Sequence, residues 1–201
     1  MPAPFPNIVP RIPGVTVRDA RIGLGIFASR RFSQGRTIGR IGGRVHHWRV
    51  LWKRGGSFLA NCFRFGDDTY LAPGKGLGRY LNHSCRPNAA IRKRANTLVL
   101  FAARDIRAGD EIVIDYSTIT GDDDIYRMRC HCGGPHCRQW IGRFGLLPLP
   151  LQLNYARRGL LPEFMLGALE QEPRLRRVIQ TNAARARGRR RNRFPPKADR
   201  P

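Results

Sequence analysis

Three cysteines, Cys130, Cys132 and Cys137, stand within eight residues in a C-x-C-x4-C run threaded with Gly133, Gly134 and Pro135. Thiolates at such spacing bind a tetrahedral metal, and three of them leave one coordination position to be filled. Two other polar runs are placed to do chemistry. Arg79-Tyr80-Leu81-Asn82-His83-Ser84-Cys85-Arg86-Pro87-Asn88 sets the pair Asn82 and His83 beside apolar neighbours. Gly109-Asp110-Glu111-Ile112-Val113-Ile114-Asp115-Tyr116 ends an apolar stretch on an acid and a tyrosine. Taken separately, the first run reads as a turn with satisfied hydrogen bonds, and the second as a buried strand ending at a polar edge.

The elements that must position these residues are mostly strands. Short runs of β-type residues recur between turn signals at 15–18, 25–28, 37–41, 61–65, 69–72, 97–102 and 111–116. Gly66, Asp67 and Asp68 separate two of them and predict a hairpin. Residues 45–53 predict one short helix. Beyond Gly145 the apolar positions Leu161, Phe164, Met165, Leu169, Leu175, Val178 and Ile179 change to helical spacing, which predicts one or two C-terminal helices, the second after Pro173. Residues 1–14 are Pro-rich and read as an extended arm. From Asn182 the chain is rich in Arg and poor in apolar side chains, a composition expected to be disordered when alone.

The two polar runs together resemble the SET domain of protein lysine methyltransferases. The first follows that family's R-F-I-N-H-S-C-x-P-N pattern with Tyr80 for Phe and Leu81 for Ile, and the second its G-x-E-[IL]-x-[FI]-D-Y pattern. Arg21-Ile22-Gly23-Leu24-Gly25-Ile26-Phe27-Ala28 is similar to the family's G-x-G segment, and the cysteine run to its post-SET element. The resemblance implies a mostly β fold with short helices, the SET β-clip or pseudoknot. On it, residues 15–120 would be the SET domain, 121–145 a post-SET zinc element, 146–181 a helical extension and 182–201 the tail. It further implies transfer of a methyl group from S-adenosylmethionine to a lysine ε-amine, with Tyr116 orienting the amine. Gly23, Leu24, Gly25, Arg79, Tyr80, Asn82, His83, Tyr116 and Trp140 would face the cofactor. Cys85 would complete a four-thiolate structural Zn2+ site with Cys130, Cys132 and Cys137. His131 or His136 as the fourth ligand, and free thiols, stand as rival readings; Trp140 reads equally as packing, and Cys62 as a small core residue. The chain departs from the family at Ala72-Pro73 and Lys75-Gly76. It has no clear match for the aromatic residue that limits methyl number, for which Tyr126 stands nearest.

The 201 residues carry a formal net charge of +23, of which the segment from 181 to 201 holds +7. A field of this sign attracts nucleic acid and other polyanions whatever the fold. A lysine-bearing substrate peptide is itself basic, so a substrate met on nucleic acid, such as a histone-like or ribosomal protein, fits this charge best. Asp122, Asp123 and Asp124 read as a solvated loop, or as an acidic lip drawing a basic peptide inward. No apolar run is long enough to cross a membrane, and the Pro-rich start lacks the plan of a secretory signal. With clustered thiols, these features predict a reducing intracellular setting, cytoplasm or nucleoid in a bacterium and nucleus elsewhere. The competing class is a non-catalytic, zinc-stabilised nucleic-acid-binding or adaptor protein on the same scaffold.

Overall fold

A computed structural model describes residues 12–55, 58, 61–74, 76–121 and 127–193. The strands in chain order are β1 (Val15–Asp19), β2 (Leu24–Ala28), β3 (Thr37–Ile41), β4 (Gly43–His47), β5 (Phe63–Arg64), β6 (Thr69–Pro73), β7 (Asn82–His83), β8 (Ala89–Arg94), β9 (Thr97–Ala102), β10 (Val113–Ile114), β11 (Met128–Arg129) and β12 (Trp140–Ile141). The α-helices whose full span lies among the described residues are α1 (Trp48–Trp52), α2 (Leu149–Arg157), α3 (Glu163–Leu169) and α4 (Pro173–Arg193). The expected class, mostly strands with short helices, is what the chain adopts.

The strands form small sheets rather than one large one. β1 and β2 make an antiparallel hairpin, whose turn places Gly23 at φ 58°, a conformation that glycine adopts without steric cost. β9 lies between β3 and β8, and β6 between β4 and β5, each pairing antiparallel. The hairpin expected around Gly66 is present as β5 and β6. β7 and β10, far apart in sequence, run parallel with Val113 opposite Asn82 and Ile114 opposite His83.

Apolar side chains from most of these pieces meet in one core. Ile26, Ile41, Leu77, Leu100, Ile112 and Ile114 are fully enclosed there. A second core joins the outer side of the β8 and β9 hairpin to the C-terminal helices through Ala90, Phe101, Ala103, Phe144, Tyr155, Leu160 and Leu175. Two side chains fasten this contact: Arg92 Nη2 donates to the Gly159 carbonyl at 3.1 Å, and Arg158 Nη2 to that of Ala103 at 3.0 Å. Cys62 is buried with Leu51, Tyr70 and Ala72, as a core residue should be, and burial pushes its thiol up to about 11.

Several elements differ from the sequence expectation. Residues 45–47 belong to β4, and α1 starts only at Trp48, where the His47 ring nitrogen caps it by accepting from Arg49 N at 3.2 Å. The strand expected over 111–116 is two residues long and passes at Tyr116 into a 3-10 turn, Tyr116–Thr118. β8 was not expected, and α2 falls inside the helical extension expected over 146–181 although none of the apolar positions that predicted helix lies on it. α4 continues past Asn182 through Arg193, because Ala and Arg are strong helix formers and the first turns of α4 are anchored by Leu175 and Ile179 in the second core. The proposed arm through Arg11, Lys75, the acidic run Asp122 to Asp124, Tyr126 and residues 194–201 lie outside the described residues.

Candidate active site and cysteine cluster

Parallel pairing of β7 with β10 brings the two polar runs side by side. Ser84 N donates to the Ile114 carbonyl at 2.9 Å and Asn88 N to that of Val113 at 3.2 Å. The buried Asn88 amide closes the same loop from within, donating to the Glu111 carbonyl at 2.7 Å and accepting from Val113 N at 2.9 Å. Asn82 Nδ2 donates to the Leu24 carbonyl at 3.2 Å and to Glu111 Oε1 at 2.8 Å, so the Gly23 to Gly25 turn, β7 and the start of the Glu111 segment share one polar junction. Gly25 is needed there for space: a Cβ on it would stand 2.6 Å from Glu111 Oε1, 2.8 Å from Ala20 Cβ and 2.9 Å from Asn82 Nδ2. Beside it, the backbone of Gly23 faces open space and Leu24 is exposed.

Tyr116 is fixed at both ends. Its N–H donates to His83 Nδ1 at 3.1 Å, and its hydroxyl donates to the Leu81 carbonyl at 2.6 Å. Burial brings the His83 imidazole down to about 4, so it is neutral near pH 7. Because Nδ1 accepts, the ring proton sits on Nε2, which faces Cys85 Sγ at 3.4 Å. One imidazole thus spans from the tyrosine to a sulfur of the cysteine cluster.

The Sγ atoms of Cys85, Cys130, Cys132 and Cys137 all lie within 4.8 Å of one another, with Cys85 and Cys130 at 3.6 Å. That separation is far beyond a disulfide bond. A tetrahedron of about 2.3 Å metal–sulfur bonds has edges of about 3.8 Å, so these four cysteines could hold a metal ion. Backbone donors point at the same sulfurs, Arg138 N to Cys85 at 3.3 Å and Gln139 N to Cys137 at 3.4 Å, which suits charged thiolates. His131 and His136 are exposed and outside the cluster.

The remaining expected contacts vary. Arg79 and Tyr80 share a 3-10 turn, Leu77–Tyr80, with Tyr80 buried in the main core. Trp140 is 41% exposed, and the guanidinium carbons of Arg127 and Arg129 stand 4.3 and 4.9 Å from its ring centre.

A SET domain model matches residues 23–117, the span that contains Gly23 to Gly25, Asn82, His83, Cys85, Glu111 and Tyr116 but not the later cysteine segment. Residues 23–117 form a SET domain. The chain is similar to the histone-lysine N-methyltransferase trr of Drosophila melanogaster, 31% identical over 130 residues, which are 59% of this chain and 5% of that protein. It is also similar to H3 lysine-4 specific histone-lysine N-methyltransferases of Mycosarcoma maydis, 36% identical over 96 residues, and of Saccharomyces cerevisiae, 33% over 93. These alignments cover 45% and 43% of the chain and 6% and 8% of those proteins, so the chain spans a small part of the relatives' length.

Sequence reasoning overlooked what holds the SET domain to the segments after it. Asp115, 1% exposed, receives Arg138 Nη1 and Nη2 at 2.7 Å each, the Tyr155 hydroxyl at 2.7 Å and Ser117 N at 3.0 Å. Burial disfavours its charge, but these donors and the guanidinium charge outweigh burial and hold the carboxyl below its usual range. Tyr155 is pushed up by burial and by that carboxylate, so it keeps its proton and donates. Arg138 directly follows the last cysteine and was legible as a neighbour of the cluster; Tyr155, on α2 within the expected helical extension, had no sequence signal of its own.

Proposed function

We propose that the chain is an S-adenosylmethionine-dependent protein-lysine N-methyltransferase, acting on a basic, nucleic-acid-associated protein such as a histone-like or ribosomal protein. The observation that carries this reading is the paired β7 and β10, which places a doubly anchored Tyr116 beside the Asn82 junction. Relatives that bear histone-lysine methyltransferase names support the protein substrate, and a nuclear or nucleoid setting follows from such a substrate.

The open backbone at Gly23, the exposed Leu24 and the Asn82 amide fit a polar cofactor laid against the turn, with Gly23, Leu24, Gly25, Arg79, Asn82, His83 and Trp140 as its holders. Tyr80, enclosed in the core, would support that wall from behind. S-adenosylmethionine would supply an electrophilic methyl group on a sulfonium sulfur. The Tyr116 hydroxyl donates its proton to the Leu81 carbonyl, and its oxygen would accept an N–H of the incoming amine and turn the nitrogen lone pair toward the methyl donor. The amine must be neutral to attack, although a free lysine has a pKa of about 10.4. Enclosure away from water and the nearby sulfonium charge would lower it, with the proton leaving to solvent. The four cysteines would hold Zn2+ as a structural ion, with no open position for chemistry.

Labelled S-adenosylmethionine, incubated with the protein and a basic protein extract with and without nuclease, tests the reading. Label should appear on lysine and vanish with Tyr116→Phe. Absence of tyrosine-dependent lysine label would favour the non-catalytic scaffold.

A further inference from the structure

On the far side of the second core, edge strand β8 and helices α2 and α4 enclose a cleft of about 530 Å³. Among the described residues, six of its lining side chains are cationic, Arg92, Lys93, Arg94, Arg157, Arg158 and Arg185, against one carboxylate, Glu163. Among the described residues, no ion pair engages any of the six.

Half of the set is held rigid. Arg92 lies over the Phe101 ring with its guanidinium carbon 3.8 Å from the centre, besides its bond to Gly159. Lys93 Nζ donates to the Phe65 carbonyl at 3.0 Å, and Arg158 is tied to Ala103. Arg94, Arg157 and Arg185 are exposed at the rim. Burial, with the neighbouring Arg94 charge, lowers the Arg92 pKa, as expected where positive charge is crowded without a counterion. Fixed cations gathered in a concave site repel one another and concentrate anions from solution.

We propose that this cleft docks the phosphate backbone of duplex nucleic acid, independently of sequence and outside the methyl-transfer site. Three features choose this occupant over a single small anion. First, positive residues continue along α4 past the cleft, with Arg187, Arg189, Arg190, Arg191 and Arg193 and no carboxylate. Second, the 21 residues of α4 extend about 30 Å, which spans about nine phosphate steps of one strand. Third, among the described residues no aromatic side chain lines the cleft, so unstacked bases find no platform on them, whereas a duplex presents only its backbone.

Fluorescence anisotropy with the full chain and labelled duplexes of about 20 base pairs, in two unrelated sequences across a salt series, tests the assignment. The variant Arg94→Gln/Arg157→Gln/Arg185→Gln should bind at least about tenfold more weakly, with a log K against log salt slope smaller by up to about three. Removal of equal charge from exposed positions around β3 and β4, by Arg36→Gln/Arg40→Gln/Arg44→Gln, should change the slope by less than about one. Thermal melts verify that both triples fold; if the cleft triple does not, Arg94→Gln and Arg185→Gln singly should each lower the slope by about one. Equal losses in both triples, unchanged binding in the cleft variant, tighter binding of single strands, or displacement of the duplex by millimolar inorganic phosphate would each overturn the proposal.

Discussion

The Tyr116 hydroxyl is the single group with most to lose. Tyr116→Phe deletes its bond to Leu81 and the acceptor for the amine, while the Asn82 and Gly23 contacts stay intact. Turnover should fall about a hundredfold or more, with cofactor affinity in calorimetry little changed. Gly25→Ala should act in the opposite way. Its new Cβ, 2.8 Å from Ala20 Cβ, cannot be relieved by a side-chain rotation, so the Asn82 junction must move. We expect a loss of about 1–3 kcal/mol in denaturant unfolding together with weakened cofactor binding. The polar partners at this scale were only half legible. Asn82, His83 and Tyr116 announce themselves in their motifs, but the carboxylate that holds Asn82 comes from Glu111, whose own position reads equally as a strand residue.

Among elements, the cysteine segment is held by its sulfurs, the Arg138–Asp115 pair and the buried Ile141 rather than by long strands. β11 and β12 are two residues each, and Met128 and Trp140 on them are exposed. Cys85→Ser should therefore lower bound metal to a small fraction of one per chain and make residues near 130–141 exchange amide protons quickly, while β8 and β9 stay protected. Unchanged metal stoichiometry would remove Cys85 from the ligand set. The Asp115 junction gives a second test. Arg138→Met leaves a buried carboxylate without its guanidinium, at a cost of about 3–5 kcal/mol near neutral pH. The sign follows from the lowered carboxyl. In the parent protein its contribution is complete above the unfolded carboxyl value of about 3.9 and is lost as pH falls through the lower folded value. In the variant burial raises that value instead, so the gap between the two unfolding curves should narrow in acid; a constant gap from pH 7 to 3 would contradict it. Elements were legible wherever a run carried its own pattern, as in β2, β3, β6 and β9. β8 was not, because Ala89-Ala90-Ile91-Arg92-Lys93-Arg94 has weak strand propensity and is made a strand by its long register with β9. α2 hid behind Pro148 and Pro150, which read as breakers but stand where a helix begins.

At the scale of the whole molecule, the helices are not an appendage. Their apolar faces complete the core that β8 and β9 begin with Ala90 and Phe101, and Phe144 and Tyr155 meet edge to face at 5.7 Å within it. Truncation after Leu147 should expose this surface, bind a hydrophobic dye and melt well below the full chain, whereas truncation after Arg185 should keep the melting temperature near the parent's. Equal melting temperatures for both would mean that the helices only decorate the fold. The net charge of +23 predicts a polyanion met through the basic body and the Arg-rich tail together, but residue counts do not bring Arg94 beside Arg185 in one cleft. Finally, the Tyr155 hydroxyl on Asp115 sets a schedule for birth of the active site. A ribosome adding about 5–20 residues each second has finished the last SET strand some seconds before Tyr155 is even joined to the chain. Until residue 138 is joined Asp115 has neither partner, and until residue 155 it has at most Arg138, so the nascent SET domain waits, unfinished, for a helix beyond the residues 23–117 that match the SET domain model.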